Sequence, residues 1–455
     1  MQLRLLAGLL LLGATASACS RDGIPATLAI VNVAVVDVDS GVVRPNMTIL
    51  VNADSIVRMG PADSVRVAAS LARLDGSGLY LIPGLWDMHT HAHRDGRAAW
   101  HYPQYLLHGV TGVRDLGTFD DSAAAARARW RVDDDAPTVW WGSPPLDGVP
   151  AVLSFGVPLT TGAEARAAAK RYADAGARFL KVYDRLSREV YMDLAASARE
   201  VGIPLEGHVP LVLSPAEVVA AGQRTIEHLT LVLESCIPGT LAWVAADTTR
   251  DAMGLLADGR LAASLDRYDA AACGQLFARF KDAQTWQVPT LVQMRGAYYV
   301  SDSAFAADPR LANVPQATRD EWMAYRAEAA PSTLAAGAAV FRRQHALLGE
   351  MHRAGVPILA GTDASDEPWV FPGSSLHDEL ALFVEAGLTP MDALRTATRN
   401  PATYRGERGP LLAPGRRADL VLLRGDPTRD IQHVRSIEAV ILRGRLVDLP
   451  ALRSR

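Results

Sequence analysis

The sequence LIPGLWDMHTH, residues 81–91, closes a short apolar run with two histidines that are two positions apart. An apolar run of this length predicts a buried strand, and side chains two apart in a strand point to the same side. His89 and His91 therefore share one face at the carboxyl end of the strand. In a parallel α/β barrel, that end opens into the active-site mouth. The stretch predicts the first strand of such a barrel and two ligands of a metal site.

Seven further apolar runs follow along the chain, separated by helical segments. The predicted strands lie near residues 82–88, 112–115, 138–141, 179–183, 204–208, 225–228, 288–292 and 357–362. Helices are predicted at residues 163–175, 188–201 and 215–221, each followed by a glycine that ends it. Strands that alternate with helices favour a parallel sheet, so the fold class predicted for residues 81–403 is an α/β fold, a (β/α)8 TIM barrel.

Two long segments interrupt this alternation, at residues 239–283 after the sixth strand and at residues 301–330 after the seventh. Loops at the carboxyl face of a barrel commonly shape access to the active site. The sequence leaves open whether these two segments do so or are surface insertions without a role.

Short strands and turns at the two chain ends predict a second, smaller domain. Strand-like stretches at residues 28–38, 47–51 and 56–59 are separated by turns, and the same pattern returns at residues 419–423, 439–442 and 446–447. We predict that residues 27–80 with 404–450 form one composite β-sandwich domain.

The amino-terminal residues are predicted to be a targeting segment. A short positive start at residues 1–4 precedes an apolar stretch, residues 5–16, that is too short to span a bilayer. The sequence Ala16-Ser17-Ala18-Cys19 resembles a bacterial lipobox. That resemblance implies a signal peptide at residues 1–18, a lipidated Cys19 and a tether at residues 19–26. The protein would be exported and lipid-anchored in the cell envelope, on either the inner or the outer membrane. A plain secreted protein cut at the same place is the alternative.

Composition excludes several other classes of protein. The formal net charge is −4 and no basic stripe is present, which argues against a nucleic-acid partner. After Cys19, the remaining cysteines are Cys236 and Cys273, and the absence of a CxxC motif excludes a cysteine zinc site. Their spacing leaves open whether they form a disulfide. The sequence has no P-loop, no GxGxxG after a strand and no GxSxG elbow.

Four more polar residues lie at the ends of predicted strands and complete the candidate site. They are Lys181, His208, His228 and Asp363. Because strand ends converge in a barrel, four imidazoles, one carboxylate and one lysine would meet there. Such a set suits two divalent metals, with zinc favoured by imidazole and carboxylate ligands and manganese, iron or cobalt left open. The site would then act on a small-molecule substrate.

Two of these residues allow a plainer interpretation. Lys181 could extend its ammonium group out of the strand end, whereas a neutral buried amine could capture CO2 and bridge two metals as a carbamate. Asp363 could cap a following helix, or it could bind a metal and move a proton. The set of six residues favours the second interpretation in each case.

Several motifs together resemble the amidohydrolase superfamily over residues 27–448. These are PG-x-x-D-x-H-x-H at residues 83–91, GVTGVRD at 109–115, GLTPMDAL at 387–394, and PG followed by ADLV at 414–421. Within it, the chain is similar to the binuclear-metal branch of imidazolonepropionase-like proteins and Xaa-Pro or Xaa-Arg/Lys dipeptidases. The resemblance implies that His89 and His91 bind a buried metal, which Asp363 also binds while acting as the general acid/base. It implies that carbamylated Lys181 bridges to an outer metal held by His208 and His228.

The resemblance implies an enzyme, a hydrolase in which a metal-bridging hydroxide cleaves a C–N amide bond. The expected substrate is a dipeptide or an N-acyl amino acid. We expect Tyr183, on the same face as Lys181, to contact the substrate, and His377 to support the site from behind the ligands. The alternative is a cyclic amide, a lactone or a phosphoester cleaved by the same bimetallic centre, and a non-enzymatic anchored binding protein is disfavoured because no ligand is lost. The oligomeric state is left open, including a homo-oligomer.

Overall fold

The computed structural model describes residues 18–19, 25–92, 98–117, 136–247, 249–364 and 367–454. Its strands, in chain order, are β1 (Ala18–Cys19), β2 (Pro25–Ala26), β3 (Leu28–Asp37), β4 (Val42–Asn52), β5 (Ser55–Pro61), β6 (Ala72–Asp75), β7 (Tyr80–Pro83), β8 (Leu85–Thr90), β9 (Val110–Asp115), β10 (Thr138–Trp141), β11 (Leu146–Asp147), β12 (Val157–Pro158), β13 (Leu180–Val182), β14 (Leu205–Gly207), β15 (Thr225–Glu227), β16 (Trp286–Val288), β17 (Leu420–Leu423), β18 (Ile437–Leu442) and β19 (Arg445–Leu446).

The α-helices are α1 (Ala98–Leu107), α2 (Gly162–Asp174), α3 (Arg188–Val201), α4 (Pro215–Ala220), α5 (Val232–Ser235), α6 (Thr240–Ala246), α7 (Ala252–Leu256), α8 (Ala270–Ala283), α9 (Leu291–Tyr298), α10 (Ser303–Ala306), α11 (Gln316–Glu328), α12 (Pro331–Ala354), α13 (Ser374–Glu385), α14 (Pro390–Thr396), α15 (Arg399–Tyr404) and α16 (Leu449–Arg453). Short 3-10 helices occupy Ala262–Arg267, Pro309–Asn313 and Ile431–Arg435.

Two parallel sheets carry the strands that alternate with helices. One has the order β10-β9-β8, and the other has the order β12-β11-β13-β14-β15-β16. Backbone hydrogen bonds connect the sheets near β10, where the Arg178 amide donates to the Trp141 carbonyl at 2.9 Å. On the other side, the segment 357–364 bonds both β16 and β8, for example through the Met88 amide and the Ala360 carbonyl at 2.9 Å. The α/β class and the parallel sheets predicted from the sequence are thereby confirmed.

The predicted eighth strand, residues 357–362, is not a regular strand. The segment makes isolated bridges, from Ile358 to Gln287 and from Ala364 to Thr90. Its first residues bond to β16 and its last residues bond to β8. The segment therefore makes too few consecutive hydrogen bonds with either strand to form a regular ladder. The segment still lies between β16 and β8, because it hydrogen-bonds to both strands.

The predicted seventh strand, residues 288–292, was placed too far along the chain. The strand β16 ends at Val288, and Thr290 turns the backbone with a φ of 47° before α9 begins at Leu291. The apolar residues after Thr290 therefore belong to a buried helix. A short apolar run does not by itself distinguish a buried strand from a buried helix.

Gly84 divides the first predicted strand between two sheets. Residues before it form β7, which pairs with β3 and β17, whereas residues after it form β8, which pairs with β9. A Cβ atom at Gly84 would lie 2.0 Å from the Thr111 hydroxyl oxygen. The backbone at Gly84 therefore lies too close to Thr111 for any side chain at this position. A run that reads as one strand is therefore two, and His89 lies on the second.

The two chain ends share one mixed sheet of order β19-β18-β17-β7-β3-β4-β5, with β6 paired to β3. The strand β17 runs antiparallel to both β18 and β7, and this brings the carboxyl-terminal strands beside the amino-terminal ones. A buried cluster that includes Ile30, Ile49 and Leu420 packs on this sheet. The sandwich architecture and the domain limits at residues 27–80, 404–450 and 81–403 stay predictions.

The structure shows whether the two cysteines pair, but it describes little of the predicted targeting segment. Cys236 and Cys273 form a disulfide, with 4.9 Å between their Cα atoms. The predicted signal peptide and tether lie outside the described residues, except for Ala18–Cys19 and Pro25–Ala26. Among the described residues, no helix combines the length and the apolar character needed to cross a bilayer.

Candidate metal site

The structure brings the six predicted site residues into one buried cluster. Each is at most 7% exposed, and they are His89, His91, Lys181, His208, His228 and Asp363. Ligand atoms of His89, His228 and Asp363 all lie within 4.8 Å of one another. The ring centroids of His208 and His228 are 4.9 Å apart, and Nε2 of His91 lies 3.0 Å from Oδ1 of Asp363.

Three of the histidines are held by a hydrogen bond at Nδ1. The partners are Glu227 for His89 at 2.8 Å, Asp184 for His208 at 2.7 Å, and Thr290 for His228 at 2.7 Å. Carboxylates accept, so the first two rings donate from Nδ1. The Thr290 hydroxyl donates to the Pro289 carbonyl at 2.8 Å, so it accepts from His228. In each ring, Nε2 is therefore the nitrogen with a free lone pair.

Two of these Nε2 atoms have no hydrogen-bond partner, and a bound metal would supply the missing interaction. Nε2 of His89 and Nε2 of His208 are buried and make no hydrogen bond with any described residue. A buried polar atom without a partner carries a desolvation cost and needs an explanation. Imidazole nitrogens beside a carboxylate form a donor set that suits zinc and related divalent ions. The residues present therefore fit the metal that their spacing predicts.

Burial keeps the histidines in the form that binds metals. It lowers the pKa of His89, His208 and His228 well below the usual value, and the nearby charge of Lys181 lowers each further. A neutral imidazole presents a lone pair at neutral pH, whereas a protonated one does not.

Lys181 is buried beside these ligands, whereas most lysines lie at the protein surface. It is 1% exposed, and its Nζ atom lies 5.8 Å from the centre of the Tyr183 ring. Burial lowers its pKa to about 8, although Glu227 and Asp363 act in the opposite direction. A side chain in this position does not reach solvent, so the interpretation of Lys181 as an ammonium group extending from the strand end does not fit the structure.

Opposing effects act on the pKa of Asp363. Burial alone would raise the pKa, but His91, whose Nε2 lies 3.0 Å from Oδ1, and the nearby Lys181 ammonium group lower it below its usual range. The backbone at Asp363 has a φ of 63°, and His228 has a φ of 56°. Non-glycine residues rarely adopt this left-handed conformation, which costs about 1–3 kcal/mol of conformational free energy per residue. Residues strained in this way are common at functional sites.

The sequence did not assign a role to Arg114, Asp184 or Thr290, which hold the ligands from behind. Arg114 on β9 is fully buried and donates to both oxygens of Glu227, at 2.7 and 2.8 Å, and to Glu206 at 2.8 Å. Glu227 in turn accepts from His89. The available signal was an arginine inside an apolar strand, which is as unusual as Lys181. Asp184 and Thr290 gave no signal beyond their positions near strand ends.

The structure places Tyr183 and His377 in different surroundings. The Tyr183 ring is half-buried and stacks on His208, with 4.1 Å between ring centroids, so it lies beside the cluster. His377 donates from Nε2 to the His108 carbonyl at 2.9 Å, and its ring contacts the His108 ring. These contacts tie the start of α13 to the end of α1. The roles predicted for the two residues stay predictions.

The sequence profile of the Amidohydrolase family matches residues 80–447. The chain therefore belongs to the amidohydrolase family. This confirms the resemblance inferred from the sequence motifs.

Curated relatives match only part of the chain. Adenine deaminase of Rubrobacter xylanophilus is 32% identical over 105 residues, which cover 23% of this chain and 17% of the relative. Ochratoxinase of Aspergillus niger is 27% identical over 165 residues, which cover 35% of this chain and 30% of the relative. The matched stretches span less than a third of either relative, so their activities are not transferred with them.

Solved structures are similar over almost the whole chain. A bottromycin amidohydrolase superposes with a TM-score of 0.69 at 23% identity, covering 94% of this chain and 88% of the other. A Xaa-Pro dipeptidase with methionine bound in its active site superposes with a TM-score of 0.65 at 18% identity, covering 92% and 99%. At this identity, the similarity establishes a shared fold.

Replacing Arg114 tests the buried charge network. We expect Arg114→Met to lower the free energy of unfolding by about 3–5 kcal/mol, because Glu206 and Glu227 lose their cation in a buried site. Urea unfolding followed by circular dichroism measures the change. Arg424→Met is the matched control, since Arg424 forms an exposed pair with Glu438 and should cost less than about 1 kcal/mol. Equal losses in the two variants would contradict the network.

Proposed function

We propose that this protein is a metal-dependent amidohydrolase that cleaves the amide bond of a dipeptide or an N-acyl amino acid. The observation that carries the proposal is the buried cluster. His89, His228 and Asp363 offer ligand atoms within 4.8 Å of one another, and Nε2 of His89 and Nε2 of His208 make no hydrogen bond with any described residue. Neighbours of similar fold that are described as a Xaa-Pro dipeptidase and a prolidase favour a peptide-like substrate. The proposal includes a closed barrel, which the hydrogen bonds joining the two parallel sheets support.

The cluster divides into two ligand groups for two divalent metals. His89, His91 and Asp363 would hold the buried metal, and His208 and His228 would hold the outer one. Lys181, as a carbamate, would supply an oxygen to each. Its burial beside the cluster supports this role.

The chemistry then follows from the positions of the side chains. Two divalent metals, when bound, lower the pKa of water enough to supply a nucleophile at neutral pH, and they polarise the substrate carbonyl. Asp363 can take the proton released from that water and return it to the leaving nitrogen. Its lowered pKa favours the carboxylate form, which is the base needed for the first transfer. The hydrogen bonds from Glu227, Asp184 and Thr290 fix the imidazole rings, so the site does not need to reorganise during the reaction.

Asp363→Asn tests the proposed proton transfer. We expect the variant to lose about 10²- to 10⁴-fold in kcat, because the amide cannot accept and return the proton. Zinc-loaded protein would be screened against pooled dipeptides and N-acyl amino acids, with the release of free amine as the readout. Asp174→Asn, at an exposed position on α2, is the matched control and should retain the wild-type rate. Full activity in Asp363→Asn would exclude this role.

Isotope labelling with ¹³C tests whether Lys181 carries the proposed carbamate. Wild-type protein equilibrated with ¹³C-bicarbonate should show one carbamate resonance by NMR. Lys181→Met should lack the resonance, bind metal more weakly and lose activity, because no oxygen bridges the two metals. Lys170→Met serves as control, since Lys170 is an exposed residue that pairs with Asp174. Two metals and undiminished activity in Lys181→Met would show that the carbamate is not required.

The Tyr183 hydroxyl is the predicted contact to the substrate carbonyl or carboxylate. Tyr183→Phe keeps the ring that stacks on His208 and removes only the hydroxyl. We expect about a tenfold lower kcat/KM, the size of one hydrogen bond of about 1.4 kcal/mol. Tyr191→Phe is the control, since the Tyr191 hydroxyl donates to the side chain of Gln223. If Tyr183→Phe and Tyr191→Phe both match the wild type, Tyr183 does not contact the substrate.

A further inference from the structure

A cavity lies at the amino end of β8, opposite to the metal site. Its volume is about 450 Å³, and none of the six cluster residues lines it. Trp86, near the start of β8, and Thr138, at the start of β10, form part of the wall. Strands β8 and β10 therefore reach the cavity with their amino ends, whereas β8 carries His89 near its carboxyl end. Residues between α15 and β17 complete the lining, so the cavity lies where the two chain ends meet the parallel sheet.

Two hydrogen-bond donors in the lining are buried and unsatisfied. Nη1 of Arg405 and Nε1 of Trp140 make no hydrogen bond with any described residue. The Arg405 side chain is 10% exposed. Because a buried donor without an acceptor is costly and rare, two in one cavity indicate a missing acceptor.

Arg405 is held in a fixed orientation. Its guanidinium carbon lies 3.5 Å from the centre of the Trp86 ring. Its Nε and Nη2 atoms donate to one oxygen of Glu407, at 3.0 Å and 2.5 Å. Stacking and the ion pair thus occupy one face and one edge of the guanidinium group, and Nη1 is the atom left to bind a ligand.

The surrounding charge favours an anion. The cavity is lined by three arginines, at positions 405, 416 and 417, and by two carboxylates, Glu407 and Asp419, which leaves one net positive charge. Burial lowers the pKa of Arg405, and the Glu407 carboxylate acts in the opposite direction. The rest of the lining includes Trp86, Trp140, Leu411 and Leu412, and these present flat or apolar surface.

We propose that this cavity is a second binding site, separate from the metal site, for a small organic anion that carries a carboxylate on a flat apolar body. The carboxylate accepts from Nη1 of Arg405 and from Nε1 of Trp140, and the body lies among the tryptophan and leucine side chains. The volume is in the range that holds a small organic ligand. The assignment does not depend on which amide the metal site cleaves.

Paired probes test the charge requirement. Benzoate, phenylacetate and indole-3-acetate would each be titrated calorimetrically into full-length, metal-loaded protein, beside the corresponding neutral alcohols. We expect at least one carboxylate to bind about tenfold or more tightly than its alcohol, because only the anion satisfies the buried guanidinium group. Equal binding of acid and alcohol in every pair, or no binding of any probe at 10 mM, would overturn the proposal.

Variants then locate the bound probe. Arg405→Met should weaken carboxylate binding by about 10- to 100-fold, and Trp140→Phe, which keeps the packing and removes one donor, should weaken it by about 3- to 10-fold. Asp363→Asn and the exposed control Arg424→Met should bind as the wild type does. If Asp363→Asn loses the probe while Arg405→Met and Trp140→Phe keep it, the carboxylate binds at the metal site and the proposed cavity site is wrong.

Discussion

A buried chain of charged hydrogen bonds runs from Arg114 through Glu227 to His89, and the candidate site depends on it. Arg114 lies on β9, Glu227 on β15 and His89 on β8, so the chain crosses from one parallel sheet to the other. All three side chains are completely buried. A buried cation and carboxylate are tolerated only when each is well paired. The pairing therefore fixes the relative position of the strands and, through Nδ1 of His89, the direction of the first ligand.

The same logic extends around the cluster. His208 is held by Asp184, whose second oxygen accepts from the Ala252 amide at 2.7 Å, and Ala252 begins a helix of the long segment after β15. Cys236 precedes that helix in the sequence and Cys273 follows it, and the two residues form a disulfide. The insertion is thus bound to the residue that positions a ligand. This contact answers in part the question that the sequence left open about residues 239–283.

The sequence predicted the site better than the path of the backbone. A histidine, lysine or aspartate at the end of an apolar run is conspicuous, because such residues are costly to bury unless they have a task. The six predicted residues therefore meet in the structure, although whether they bind metal rests on the proposed experiments. Backbone detail was less accessible: the division at Gly84 depends on the approach of Thr111, and the end of β16 depends on the turn at Thr290. The unsatisfied Arg405 was not predictable, because the Trp86 ring on which its guanidinium group stacks comes from a distant part of the chain.

The most direct test of the two-metal account is a crystal structure of zinc-loaded protein, with anomalous diffraction measured on both sides of the zinc edge. The account predicts two anomalous peaks about 3.5–4 Å apart, the usual spacing of two-metal sites. One peak should lie against His89, His91 and Asp363, and the other against His208 and His228, with density continuing from Nζ of Lys181 between them. A single peak, or peaks away from these histidines, would contradict the account.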